Sequence, residues 1–554
     1  MKRGFQIFLL LFFSQAAFSG EQPSANAIAS AHPIATVVGH RILEAGGNAF
    51  DAAVAVSAVL AVVEPYSSGI GGGGFWLLHR VSDGKDVMID GRESAPLAAH
   101  RELYLDESGN VIPGLSVDGA LAAGIPGEPA ALVHIAEKYG RFPLSKSLAP
   151  AIQVARDGFK VDHHYQRMAG FRLKLLQQFP ETSRRLLKEG EVPPLGHIIR
   201  QPELAATLQA IADKGYSGFY AGPVAKKLVK GVRKQGGIWS LKDLEQYKIV
   251  EREPVSITYK SATITSAALP SSGGIVLATM LNILSGYDLE NLDEVTRKHL
   301  IIEAMRRAYR DRAEYLGDSD FVDVPVKRLT DPGYANALRS TIQSDKATPS
   351  KELSVATVKA GGADTTHFSI LDKEGNRVAA TLSINYPFGS GFMPEGTGVL
   401  LNDEMDDFSS KPGSPNVYGL VGAEANAIAP GKRMLSSMSP TFIETEQGIA
   451  IVGTPGGSRI ITMVLLAILE YLDGSDVQSM VNLPRFHHQY LPDVVQLEPD
   501  SLSDSEQQAL RKKGHKLRLL ENTYGNMHAI IWDKKKNRVQ AASDPRGTGL
   551  AQVR

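Results

Sequence analysis

Two short runs near residue 370 restrict the fold more than any other part of the chain. Thr366 to Leu371 (THFSIL) and Arg377 to Ile384 (RVAATLSI) both alternate in the manner of strands, and Asp372-Lys373-Glu374-Gly375-Asn376 between them is a turn-forming cluster. The pattern predicts a β-hairpin with Leu371 opposite Arg377. In that register Phe368, Ile370, Val378, Ala380, Leu382 and Ile384 share one apolar face. The same register sets Thr381 opposite His367 and Thr365 opposite Ser383, with β-carbons about 5 Å apart, so two hydroxyls meet at the open end. A slip of one residue would bury the wrong face and separate them.

Thr365 follows Gly361-Gly362-Ala363-Asp364. A threonine that becomes an N-terminus carries its own catalytic pair: the hydroxyl is the nucleophile, and the α-amine, of pKa about 8 in models, is the base. Because that amine must be free, such a chain has to cut itself, here between Asp364 and Thr365. Further on, Gly453-Thr454-Pro455-Gly456-Gly457-Ser458-Arg459 runs into the apolar stretch Ile460 to Leu472. Glycines let main-chain N–H groups approach closely, and a following helix adds a positive dipole end, which suits an oxyanion hole. A strand-to-helix turn that merely needs glycine would read the same way.

The remainder of the chain narrows the class. Lys and Arg number 59 against 60 Asp and Glu, a net charge of −1, so there is no basic field for nucleic acid. Met1-Lys2-Arg3, an apolar run from Phe5 to Phe13, and Ala17-Phe18-Ser19-Gly20 predict a signal peptide over residues 1–19 and export to a bacterial periplasm or beyond. There is no cysteine, hence no thiol nucleophile and no disulfide. Ala49–Val63 and Ile460–Leu472 read as buried helices too short to span a bilayer. Helical stretches such as Leu300–Tyr315 alternate with strand-like ones such as Ser256–Thr265 and Ile449–Val452, which predicts α/β layers. Gly71–Gly74 lacks the lysine of a phosphate loop. The adjacent pairs His163-His164 and His487-His488 have poor geometry for a shared metal. No metal or cofactor is expected, and His367 reads as structural.

At this point the sequence resembles the γ-glutamyltransferases (glutathione hydrolases) of the N-terminal-nucleophile hydrolase superfamily. The blocks are AHPIAT (31–36), GGNAFDAAVA (46–55), GIGGGGF (69–75), DGRESAP (90–96), LPSSGG (269–274), DTTHFS (364–369), LNDEMDDFS (401–409), KPGSPNVYGLVG (411–422), LSSMSP (435–440), TPGGSRI (454–460) and PRFHHQ (484–489). The resemblance implies an αββα four-layer sandwich built from a large subunit (20–364) and a small catalytic subunit (365–554), intertwined in one globular unit. It implies Thr365 as nucleophile, Ser383 as its assistant, and Gly456 and Gly457 as the oxyanion glycines. Arg92, Ser436 and Ser437 correspond to the pocket for a glutamyl α-carboxylate; Asn385, Glu404 and Asp407 correspond to acceptors for its ammonium. Tyr418 falls in a lid, roughly Pro412–Gly422, with Asn385 as partner. The implied substrates are glutathione and other γ-glutamyl compounds, with water, amino acids or dipeptides as acceptors. Tyr386-Pro387 departs from the small polar residues common after Asn385, so the entrance can differ. A glutaryl-type β-lactam acylase would share the nucleophile but not need an ammonium acceptor. A γ-polyglutamate hydrolase would be obstructed by the lid. From another class, an uncleaved relative could serve as an exported binding protein.

Overall fold

The hairpin forms in the expected register, with Leu371 opposite Arg377, Thr381 opposite His367 and Leu382 opposite Thr366. The computed structural model describes residues 22–353 and 365–554. The signal-like segment lies outside the described residues, as do Asp364 and the Gly361–Ala363 run before it.

Around the hairpin a seven-stranded sheet is ordered Leu550–Val553, Ala27–Ser30, Thr366–Leu371, Arg377–Ser383, Gly73–Arg80, Lys85–Gly91 and Val250–Arg252. A six-stranded sheet is ordered Arg538–Ser543, His528–Asp533, Gly448–Gly453, Thr441–Glu444, Ala262–Ser266 and Val255–Tyr259. The sheets face each other, and each carries helices on its outer side. This is the αββα sandwich.

The layers explain the strand sequences. Phe368, Ile370, Val378, Ala380, Leu382 and Ile384 pack on the helical side, against a core that includes the wholly buried helix Ala49–Val63. Their opposite face is also buried. Leu371 and Ala379 meet Phe442, Ile449, Ile451 and Ile530 of the second sheet. Facing sheets pack about 10 Å apart, so small or polar residues are accommodated there if they are bonded. His367 answers that need: Nδ1 meets Thr381 Oγ1 at 2.9 Å and Nε2 meets Ser369 Oγ at 3.2 Å.

The two expected apolar helices form over Ala49–Val63 and Ile460–Leu472. The first starts at a capping box, in which Asn48 accepts from the Asp51 N–H while the Asp51 carboxylate accepts from the Asn48 N–H. The expected helix at Leu300–Tyr315 begins earlier, at Glu294, because Asp293 caps it by accepting from Thr296 N. Ser256–Thr265 is not one strand but two, Val255–Tyr259 and Ala262–Ser266, reversing at Lys260 with φ of 52°. Among the described residues no helix is long and apolar enough to cross a membrane.

Candidate active site

Thr365 stands one residue before the Thr366–Leu371 strand and is buried. Thr366 anchors the strand's start by donating from Oγ1 to Glu64 Oε2 (2.8 Å), just past the Ala49–Val63 helix. One register step beyond the Leu382–Thr366 pair sets Ser383 against Thr365. The Ser383 hydroxyl accepts from the Asn385 N–H at 2.8 Å. Asn385 turns the chain away with a left-handed φ of 74°, and its amide donates to the Asp403 carbonyl (3.0 Å). The glycine run explains why the strand beside the hairpin can lie so close. A Cβ on Gly72 would sit 2.1 Å from the Ser383 carbonyl oxygen, so this segment is built for packing.

The second glycine turn approaches Thr365 from the other sheet. After Gly448–Gly453, Gly456 has φ of 147° and Gly457 of 55°, conformations that glycine alone adopts without strain. A 3₁₀ turn over Gly457–Arg459 then feeds the Ile460–Leu472 helix. Neither the Gly456 nor the Gly457 amide finds a hydrogen-bond acceptor among the described residues. Both N–H groups therefore stand available near a helix N-terminus.

Charged groups close the far side. Arg92 follows the Lys85–Gly91 strand, and its N–H donates to Asp90 Oδ1 (3.0 Å). Glu404 and Asp407 share a 3₁₀ turn. Asn402 fixes that turn, accepting from the Glu404 N–H (3.0 Å) and donating to the Gly71 carbonyl (2.7 Å). Ser436 is held through main-chain bonds to Ser272 and Pro270, both 2.8 Å, which gives the LPSSGG block its role. Tyr418 donates to the Asn385 main-chain carbonyl at 2.7 Å. Asn416, in the same loop, donates to Asp407 Oδ1 (3.0 Å). Gln489 donates to the Gly419 carbonyl (3.1 Å) and accepts from Ser458 Oγ (2.8 Å), which ties the loop to the glycine turn.

One narrow pocket is thus lined by Arg92, Thr365, Ser383, Asn385, Glu404, Asp407, Tyr418, Ser436, Ser437 and Gly457. Gly456 faces a second cleft on the other side of Thr365. A family model described as gamma-glutamyltranspeptidase matches residues 35–553. The chain belongs to that family. Among its relatives, a glutathione hydrolase proenzyme from Pseudomonas sp. (strain A14) is 44% identical, covering 95% of this chain and 93% of the relative. The glutathione hydrolase proenzyme of Escherichia coli (strain K12) is 42% identical, covering 94% and 90%. The solved cephalosporin acylase of Bacillus halodurans matches with a TM-score of 0.83 at 28% identity, covering 98% of this chain and 99% of that one.

In this chain the charges are arranged differently from the simple two-ended expectation. Arg92 does not stand apart from the acids. Its guanidinium lies 2.8 Å from Glu404 and 2.6 Å from Asp407, because carboxylates taken out of water need a countercharge. Burial works against the Arg92 cation, but Glu404 and Asp407 outweigh it and hold its pKa above the usual value. Burial pushes the Glu404 carboxyl up to about 7, against the pull of Arg92. Glu93, beneath the same cluster, is raised well above the carboxylate range by burial and then by Glu404. Ser383 and Arg92 approach Glu404, yet neither of its oxygens has a well-aligned hydrogen bond.

The cation bonded to Ser437 is one that the sequence did not single out. Arg312 donates from Nη2 to Ser437 Oγ (3.1 Å) and from Nε to Ser272 Oγ (3.0 Å). It is 5% exposed, burial lowers its pKa, and no carboxylate among the described residues lies within ion-pair distance. In the sequence it is one of four arginines in a single helix, with Arg306, Arg307 and Arg310, and spacing alone does not tell which of them reaches a site. His299, Glu303 and His515 also come together closely enough to hold a cation. Arg306 (3.2 Å) and Arg307 (2.6 Å) already neutralise Glu303, which makes the cluster a poor cation site. His487 and His488 turn to separate partners, Thr462 and Asp493.

Proposed function

We propose that this chain is an exported, self-processing γ-glutamyltransferase and glutathione hydrolase. The observation that carries the reading is one buried threonine standing between a glycine turn with unspent amides and a pocket of paired charges, in a chain that belongs to this family. In the precursor, Thr365 Oγ attacks the Asp364 carbonyl and the peptide C–N bond gives way to an ester. Water cleaves the ester, leaving a carboxylate on Asp364 and a free α-amine on Thr365. Residues 20–364 then form the large subunit and 365–554 the small one, after removal of residues 1–19 on the way to the periplasm or the exterior.

In the mature enzyme the Thr365 amine takes the hydroxyl proton as Oγ attacks the γ-glutamyl carbonyl. The Gly456 and Gly457 amides hold the oxyanion, and the leaving amine departs with a proton. Water or an amino-acid or dipeptide amine then cleaves the acyl-threonine ester. A glutamyl head is a zwitterion, and it exchanges one set of pairs for another on binding. Its ammonium goes to Glu404, Asp407 and Asn385, while its carboxylate goes to Arg92, Ser436 and Ser437, with Arg312 holding Ser437 in place. The unaligned Glu404 oxygens suit such an ammonium.

A denaturing gel with N-terminal sequencing, followed by assays on a γ-glutamyl anilide and a glutaryl anilide, tests this. The smaller band should begin Thr-Thr-His-Phe-Ser, Thr365→Ala should stay uncut, and only the γ-glutamyl compound should turn over well. Equal turnover of the two anilides would favour an acylase instead.

A further inference from the structure

Beside the charged pocket stands an aromatic side chain that the acyl-transfer chemistry does not use. Tyr386 follows Asn385, whose carbonyl receives the Tyr418 hydroxyl; Tyr386 is half-buried and Tyr418 buried. The main chain of Tyr386 is fixed at both ends. Its N–H donates to Asp403 Oδ1 (2.9 Å), and its carbonyl accepts from the Gly389 N–H (2.6 Å). The Tyr386 ring stands edge-on to that of Tyr418, with centroids 6.2 Å apart and planes at 66°. Tyr418 is therefore held by two successive residues, at its hydroxyl by Asn385 and at its ring by Tyr386.

The support for Tyr386 comes from a distant part of the chain. The helix His163–Gln178 brings Phe171 and Arg172 to its ring. Phe171 meets the ring edge-on at 5.7 Å and 62°, although Phe171 itself is 61% exposed. The Arg172 guanidinium lies 5.0 Å from the ring centroid. Two bonds aim it there: Nη2 donates to Asp118 Oδ1 (3.0 Å) and to the Gly389 carbonyl (2.9 Å). Edge-to-face rings at these separations attract beyond the area they bury, and a guanidinium beside a ring adds to the hold. Phe171, Tyr386 and Tyr418 thus form a row that starts in solvent and ends at the pocket wall, with Tyr386 in the middle. Phe171 and Arg172 precede the proposed cut, whereas Tyr386 and Tyr418 follow it.

We propose that Tyr386 is a positioning residue for the charged pocket: it passes the hold of the His163–Gln178 helix to the Tyr418 ring and so keeps the Pro412–Gly422 loop seated there. The inference rests on the proposed reading of that pocket as the place where the acyl group binds. The ring of Tyr386 is the part that matters, not its hydroxyl, since Phe171, Arg172 and Tyr418 all meet the ring. Removing the ring loosens Tyr418 on one side and leaves Thr365, Ser383 and the glycine turn untouched.

Three variants test this: Tyr386→Ser removes the ring, Tyr386→Phe keeps it, and Phe171→Ala takes away its outer neighbour. First, the parent is assayed on γ-glutamyl and glutaryl anilides, which by itself judges the proposed function and selects the anilide used afterwards. Hydrogen exchange is then followed in every protein, a readout that needs no turnover. Tyr386→Ser should speed exchange across 412–422 by about 2- to 10-fold, the worth of one ring pair, and raise KM for the anilide by a similar factor with less change in kcat. Tyr386→Phe should match the parent in both, and Phe171→Ala should fall between parent and Tyr386→Ser. Exchange in the strands Thr366–Leu371 and Arg377–Ser383 should keep the parent rate throughout, which separates a local brace from general destabilisation. Parental exchange across 412–422 in Tyr386→Ser, or an equal loss in Tyr386→Phe, would overturn the assignment. Should Tyr386→Ser not fold, Phe171→Ala decides at an exposed position, and parental exchange and KM there would overturn it too.

Discussion

Ser383 illustrates how far a single residue can be argued. The hairpin register alone set it against Thr365, and the structure keeps that register to the last pair before them. If its hydroxyl steadies the attacking oxygen, Ser383→Ala slows both self-cleavage and turnover by about 5- to 150-fold, the worth of roughly 1–3 kcal/mol, while Ser383→Thr is tolerated. Thr381 is the control. Its hydroxyl bonds the buried His367, so Thr381→Ala should lower the melting temperature yet leave the rate of precursor cleavage nearly unchanged. The reverse pattern, followed on gels over time, would refute the role given to Ser383. Glu404 makes a different kind of prediction. With a carboxyl raised to about 7, it gains a proton as the pH falls through that value, which would cost it the ammonium-binding role proposed for it. The acid side of the kcat/KM profile on a γ-glutamyl anilide should therefore contain two ionisations, those of Glu404 and the Thr365 amine. Glu404→Gln should leave one, and an unaltered slope would contradict the assignment. Arg312 was illegible for a physical reason: helical spacing tells which residues share a face but not which face is buried. Its positioning role predicts that Arg312→Gln raises KM for γ-glutamyl anilide about 10-fold or more, with less effect on kcat. Arg312→Lys should recover only part of this, since one ammonium does not reproduce the fork that reaches Ser272 and Ser437 together.

Elements were legible where one physical signal dominated. The helix at Ala49–Val63 announced itself through an apolar run, broken after Asp51 by Ser57 alone, behind Asn48, and the hairpin through alternation around a turn. Ser256–Thr265 was harder because its reversal at Lys260 uses a non-glycine residue in a left-handed conformation, which leaves no glycine signal. The loop Pro412–Gly422 drew its lid reading from resemblance, and its anchors could not be foreseen. It is fastened to Asp407 through Asn416, to Asn385 through Tyr418 and to the glycine turn through Gln489. Asp407 also pairs with Arg92, so the loop and the charged pocket share one residue. Tyr418→Phe removes the bond to the Asn385 carbonyl, worth about 1 kcal/mol or some fivefold. The expected outcome is a KM raised by about that factor and faster hydrogen exchange across 412–422, with precursor cleavage at the parent rate. Slower exchange in the variant would show that the tyrosine does not fasten the loop.

At the scale of the molecule, mixed helices and strands pointed to layers, but not to which strands neighbour which. That order is set by long-range pairing that periodicity does not encode. It matters for the proposed cut. The hairpin following Thr365 is hydrogen-bonded on one side to Ala27–Ser30 and on the other to Gly73–Arg80, while Leu550–Val553 pairs with the outer edge of Ala27–Ser30. Strands from before and after residue 364 thus alternate within one sheet, and the second sheet likewise sets Ala262–Ser266 beside Thr441–Glu444. Cleavage breaks one peptide bond but none of these ladders. Separation of the fragments would expose strand edges and both faces of the buried hairpin, so it cannot precede loss of the sheet itself. The matured protein should therefore elute as one species in native size-exclusion chromatography. In a urea series monitored by far-UV circular dichroism, its two chains should part only at concentrations where the strand signal is lost. Fragments that separate while that signal is intact would mean that the interleaved sheet does not hold the two chains together.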